Sequence, residues 1–128
     1  MPTNIAIIHA HDFIKASLEG QLDFEKSKEG LMEIVSASAS LTEHEVLLDT
    51  RKTHSVLSVT HLWYLAVELS DLRKAFSGKT AVLCPLERFD KAEFFALCAK
   101  NRGFRVSAFT SFEDAIEWLM EMGPDAMK

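Results

Sequence analysis

The sequence predicts an α/β domain: a mostly parallel five-stranded sheet, opened by an N-terminal antiparallel hairpin and carrying four helices. Three observations lead there. Short apolar segments alternate with stretches of helical periodicity, and strands interleaved with helices pair in parallel through right-handed crossovers. The segments 45–49, 79–84 and 105–109 hold apolar residues at both parities, as strands covered on two faces require. The composition, 48% hydrophobic and 26% charged over 128 residues with 5 Gly and 3 Pro, fits one folded domain spanning 1–128 and excludes disordered or collagen-like chains.

Taken in order, Asn4 to His9 is a compact apolar strand, and Asp12 to Glu19 alternates Phe13, Lys15 and Ser17 against Ile14, Ala16 and Leu18. Ala10-His11-Asp12 joins them as a hairpin, and Gly20 ends the second strand. Asp23 N-caps a helix with Lys26 at the third position, so the capping box is incomplete. Phe24, Leu31, Met32, Val35 and Ala39 fall at helical spacing, and Ser36 to Ser40 ends the run. Gly30 inside that helix costs about 1 kcal/mol relative to alanine.

Glu45 to Asp49 is the clearest strand, and Thr50 to Leu57 reads as a polar loop carrying Arg51, Lys52 and His54. Ser58 then N-caps the longest helix, Val59 to Phe76, stopped by Ser77-Gly78. Lys79 to Cys84 is a strand closed by Pro85. Phe89 to Lys100 is a helix ended by Asn101-Arg102-Gly103, Arg105 to Phe109 is the last strand, and Ser111 caps a final helix. That helix turns Ala115, Trp118, Leu119 and Met122 inward, and Gly123-Pro124 terminates it.

The charge balance, 14 Lys and Arg against 19 Asp and Glu for a net −5, argues against a nucleic-acid partner. Cys84 and Cys98 form no CxxC pair, so buried reduced thiols are expected, and with them a cytoplasmic location. The opening Met1-Pro2-Thr3-Asn4 lacks a basic n-region, and no stretch approaches the ~20 apolar residues of a membrane span. No G-x-S-x-G, G-x-G-x-x-G or P-loop occurs, so no enzyme and no cofactor is expected. His9 and His11 have strand spacing for a shared metal but lack a third donor, so no metal site is expected. Cys84 stands where a strand-end nucleophile would, without an assignable His or Asn beside it.

Two constellations remain. Ligands of open α/β sheets bind at the carboxyl ends of the strands, and there the chain places Arg51 and Lys52 after one strand and Arg88 and Lys91 after the next. These four are the candidates for holding an anionic head group, set against scattered solvated charge. The apolar residues Leu62, Trp63, Ala66 and Val67 of the long helix, and Phe89, Phe94 and Phe95 of the next, form stripes wider than a core-facing arc. Core packing takes the largest share of them. The remainder calls for a second copy of the chain, an apolar ligand or a membrane surface. Glu113, Asp114, Glu117 and Glu121 make an acidic stripe on the last helix, read as a solvated face.

Several segments together resemble the SpoIIAA-like family. They are Gly20 after an amphipathic strand, Val46-Leu47-Leu48-Asp49 before a polar loop and a Trp-bearing helix, Lys79 to Leu83, and the F-x-x-x-E-x-A-x-x-W-L pattern from Phe109 to Leu119. The family is related to STAS domains and similar to CRAL-TRIO lipid-binding domains. The resemblance covers about Ile5 to Met122 and implies a (βα)n superhelical fold, no catalytic activity, and a binding or regulatory role. It further implies that Ser58, at the start of the helix after the central strand, corresponds to the serine phosphorylated in STAS regulators that bind a protein partner. Here Leu57 stands where those regulators carry Asp, and Val59-Thr60 replaces their Ser-Gly. The expectation is thus a binding protein for an apolar or lipid-like ligand or a membrane surface, with a Ser58-switched regulatory module as the alternative.

Overall fold

The structure is a computed structural model that describes residues 4–10, 13–39, 44–55 and 57–120. Its elements run β1 (Asn4–Ala10), β2 (Phe13–Leu22), α1 (Phe24–Ser38), β3 (Glu45–Ser55), α2 (Val59–Leu69), β4 (Lys79–Leu83), α3 (Phe89–Lys100), β5 (Arg105–Phe109) and α4 (Phe112–Met120). Single 3₁₀ turns follow α2 at Ser70–Leu72 and precede α3 at Leu86–Arg88. The strands lie in sequence order, β1-β2-β3-β4-β5. Strands β2 to β5 are parallel to one another, and β1 runs antiparallel along β2. The predicted histidine pair His9 and His11 lies outside the residues whose side chains are described.

Because each crossover moves one strand along in the same direction, α1, α2 and α3 all settle on one face of the sheet. Leu31 and Ile34 of α1, Leu62, Leu65, Ala66 and Leu69 of α2, and Ala92, Phe95, Ala96 and Ala99 of α3 share a core there with Ala16, Leu18, Val46, Val82 and Val106. The opposite parity of the strands meets α4 instead, where Ala115 and Leu119 pack on Leu47, Ala81 and Leu83. This second layer answers an expectation drawn from the two-faced strands. Over β3, β4 and β5 the apolar surface left by the first three helices is covered by the chain's own last helix.

Three element boundaries differ from those the sequence predicts. Strand β2 is not ended by Gly20 but continues to Leu22, because Gly20, Gln21 and Leu22 pair with Thr53, His54 and Ser55 of β3. Strand β3 does not stop at Asp49 but continues through Ser55. Ser17 pairs with Asp49 and Glu19 with Lys52, so β3 carries one extra residue against β2. That β-bulge reverses the parity of the strand beyond it. Leu47 and Asp49 face α4 before the bulge, whereas Thr53 is buried after it. Arg51, Lys52 and His54 gave this stretch the composition of a loop, and only pairing with β2 makes it a strand. Helix α2 ends at Leu69, seven residues before the predicted stop. Ser70 and Asp71 have low helix propensity, and the Ser70 backbone N–H reaches both the Glu68 and Val67 carbonyls, tightening the turn.

The remaining caps follow the sequence. Asp23 Oδ1 accepts from the Lys26 backbone N–H at 2.8 Å. At the start of α2 the Ser58 hydroxyl accepts from the His61 N–H and His61 Nδ1 accepts from the Ser58 N–H, both at 3.1 Å. Histidine thus completes a reciprocal capping box in which Glu or Gln is usual.

Candidate functional site

Between the first face of the sheet and helices α1 to α3 lies a cavity of about 100 Å³. It sits toward the carboxyl ends of β2, β3 and β4, where Leu18, Leu22, Thr50, Ser55 and Val82 contribute to its wall. The helices add Leu31, Leu62 and Phe95, and Leu57, buried just before α2, closes one side. Gly30 is also part of the wall. A Cβ there would meet the Leu18 Cδ2 atom at 3.2 Å, so glycine lets α1 approach β2 and keeps the space open. The helix-propensity cost noted from the sequence thus has a packing reason.

Among the polar lining residues, Ser27, Ser55, Arg88 and Lys91 reach solvent and mark the open side. Arg88 lies across the end of β3. Its Nη1 donates to Thr53 Oγ1 at 3.0 Å, and its Nη2 donates to the carbonyls of Thr50 at 3.0 Å and Thr53 at 2.9 Å. Lys91 Nζ donates to the Leu57 carbonyl at 2.8 Å. All of these acceptors are neutral, and no carboxylate of the described residues lies within ion-pair distance of either cation. Two positive charges are therefore held at the mouth of an apolar cavity by uncharged oxygens.

The other polar groups of the wall are turned inward on the protein. Ser27 Oγ donates to the Asp23 carbonyl at 2.8 Å and Thr50 Oγ1 to the Leu83 carbonyl at 3.0 Å. Ser55 Oγ accepts from the Leu57 N–H at 3.3 Å. The Cys84 thiol, also in the wall, points at the Phe109 carbonyl 3.6 Å away. Burial pushes that thiol above its ordinary pKa, outweighing the opposing pull of Arg88. A buried protonated thiol is a poor nucleophile, which removes the support for a catalytic reading of Cys84.

The four cations expected at one rim separate into two sites. Arg88 and Lys91 stand at the cavity. Arg51 points to the other side of the sheet, where Nε and Nη2 grip the two carboxylate oxygens of Asp49 at 3.0 and 2.9 Å. Lys52 is exposed, 3.8 Å from the exposed Glu19. Strand alternation before the bulge and the parity reversal after it carry both away from the cavity.

The apolar candidates separate as well. Leu62 and Phe95 line the cavity. Ala66 is fully buried in the helix–sheet core, against which Phe89 and Phe94 pack, and Val67 is half-buried on α2. Trp63 stays 44% exposed, edge-on to Tyr64 with ring centroids 5.1 Å apart and with the Arg102 guanidinium 5.5 Å from its ring. The buried stripe of α2 is thus an ordinary one, Leu62, Leu65, Ala66 and Leu69, and the width read from the sequence came from residues that remain outside it. Ser58 is exposed at the N-terminus of α2, adjacent to Leu57 but outside the cavity. Leu18, Leu57 and Val82 were not singled out from the sequence. Gly30 was the one local signal for the space they enclose.

No protein-family model matches the chain, and no curated protein does. Two solved structures superimpose over nearly its whole length. One is an uncharacterised DUF3478-family protein with a SpoIIAA-like fold from Shewanella loihica PV-4, 22% identical, covering 91% of this chain and 93% of that one with a TM-score of 0.60. The other is an anti-sigma factor antagonist from Mycobacterium paratuberculosis, 13% identical, covering 93% of this chain and 95% of that one with a TM-score of 0.62.

The chain has a SpoIIAA-like fold.

In this SpoIIAA-like architecture, no helix of the described residues is long and apolar enough to cross a membrane. No group of three or more His, Cys, Asp or Glu among them has the spacing to hold a metal ion.

Proposed function

We propose that this SpoIIAA-like chain is a non-enzymatic binding module whose cavity takes the apolar part of a small amphipathic anion, with Arg88 and Lys91 holding the charged end. One observation carries the reading: an apolar cavity whose open side presents two cations bonded only to neutral oxygens. Apolar burial supplies affinity at roughly 25 cal/mol per Å², and the cations orient the head. A cavity of about 100 Å³ suits a short apolar segment, so the reading is narrower than lipid binding in general.

Native mass spectrometry in the presence of hexanoate, hexanesulfonate or hexyl phosphate tests it. A one-to-one adduct is expected with the unmodified chain and with Arg51→Glu, and its loss with Lys91→Glu. Absence of any adduct, or equal loss in Arg51→Glu, contradicts the reading.

A second reading, a regulatory module that engages a protein partner at Ser58, is favoured by the exposure of that hydroxyl at the start of α2 and by the fold shared with an anti-sigma factor antagonist. A phosphate there would gain from the N-terminal dipole of α2. Under it, Ser58→Asp and Ser58→Ala differ in the partner an affinity-tagged chain captures, and equal capture by the two variants ends it.

A further inference from the structure

The shape of the cavity and the donors left at its mouth narrow the ligand to one chemical class. We infer that the site selects a short, unfunctionalised monocarboxylate, with roughly four or five apolar carbons beyond the carboxyl group. The inference rests on the cavity reading above and deepens it in three respects.

Size comes first. A cavity of about 150 Å³ holds one benzene molecule, so the ~100 Å³ here takes roughly three or four carbons, with the methylene next to the carboxyl group lying in the open mouth. Gly30 and Leu18 set that limit on one side and Leu62 on another, which makes them specificity-determining residues.

The tail carries no polar group. Ser27 and Thr50 donate their hydroxyl protons to backbone carbonyls, and the Cys84 thiol points at a third. Ser55, on the open side, accepts from the Leu57 N–H and keeps its own proton, so a polar group is tolerated near the head. Deeper in, a ligand hydroxyl would find the Ser27 and Thr50 protons already committed and would lose its water without a full replacement.

The head is a monoanion. Arg88 spends three of its five N–H donors on β3, and Lys91 spends one of three on Leu57. Each cation keeps two donors, enough for one carboxylate oxygen apiece. No side chain caps α3, so the positive end of its dipole falls on the same side. Against this stand the exposed carboxylates of Glu87, Asp90 and Glu93 on the same segment. Their field leaves room for one negative charge and works against a second, so a carboxylate is preferred over a phosphate monoester.

Titration calorimetry with straight-chain carboxylates from acetate to dodecanoate, and with hexanol, hexylamine and hexyl phosphate as controls, tests the inference. Affinity should rise about fourfold per methylene, peak at pentanoate or hexanoate, then fall. Each of the three controls should bind at least about tenfold more weakly than hexanoate. Gly30→Ala should move the optimum to a shorter acid by pushing Leu18 into the space, and Leu62→Ala should move it to a longer one. Affinity that climbs through dodecanoate, hexyl phosphate that matches hexanoate, or hexanol that does so, overturns the inference while leaving the cavity as a ligand site. Failure of the whole panel to bind removes the cavity reading itself.

Discussion

At the scale of single residues, two arginines close in sequence to β3 and α3 do different work. Arg88 holds three oxygens of the β3 bulge in one guanidinium fork. Lysine lacks that geometry, so Arg88→Lys should destabilise the fold nearly as much as Arg88→Met, by about 1–3 kcal/mol in urea unfolding. Arg51→Met leaves the largely buried Asp49 carboxylate without its partner and should also cost about 1–3 kcal/mol. No loss of stability in Arg88→Met would contradict the assignment of Arg88 to the bulge. Asp49 adds a pH signature. Burial alone would raise its pKa, but the hydrogen bonds and charge of Arg51 hold it below the ordinary value. A carboxyl depressed by folding stabilises the native state above its unfolded pKa of about 4 and loses that contribution as pH falls through the lower, folded value. Between pH 5 and pH 2 the unmodified chain should therefore lose more stability than Asp49→Asn, a difference of at most about 1 kcal/mol. Parallel acid profiles for the two would remove the pair from the account. For Cys84, buried and protonated at neutral pH, iodoacetamide labelling of the native chain should be far slower than that of the unfolded chain. Comparable rates would contradict its burial.

Single elements show which signals were local and which were not. The bounds of α3 and β5 were legible because their punctuation is local: Pro85 before α3, Asn101-Arg102-Gly103 after it, and Ser111 capping the helix that follows β5. The reach of β3 through Ser55 was not, since Arg51, Lys52 and His54 carry no apolar pattern and are held by register with β2. A bulge is a property of two strands, and one strand's sequence does not display it. Alternation before the bulge turns Arg51, and the parity reversal after it turns Lys52, to the far side of the sheet, although their positions after Asp49 read as the strand-end rim. Helix α4 was legible as an amphipathic segment, but which face of the sheet it covers depends on the topology of everything before it. That placement gives a clean separation of stability from binding. Leu119→Ala should destabilise by about 2–5 kcal/mol, since Leu119 is 3% exposed on the α4 side, and should leave ligand affinity unchanged under folding conditions. A change in affinity would mean that the two layers are coupled. At the start of α2, Ser58→Ala should cost about 1 kcal/mol through loss of its half of the capping box.

Across the whole molecule, the hydrophobic content is divided between two cores on opposite faces of one sheet. From the sequence, strands apolar at both parities and wide helix stripes left a surplus that asked for an outside partner. The fold absorbs part of it through α4, Trp63 and Leu97 stay exposed on their helices, and a small cavity lies on the α1–α3 face. The proposed function therefore rests on an internal space with a cationic mouth, which Leu62 and Phe95 line and Trp63, Phe89 and Phe94 do not. Methyl NMR on chain labelled at Leu and Val, titrated with hexanoate, tests that claim most directly. The account predicts shifts confined to the cavity methyls of Leu18, Leu57, Leu62 and Val82, with Leu47, Leu83 and Leu119 on the α4 side unmoved. Shifts centred on the α4 layer, or none at saturating hexanoate, would contradict it.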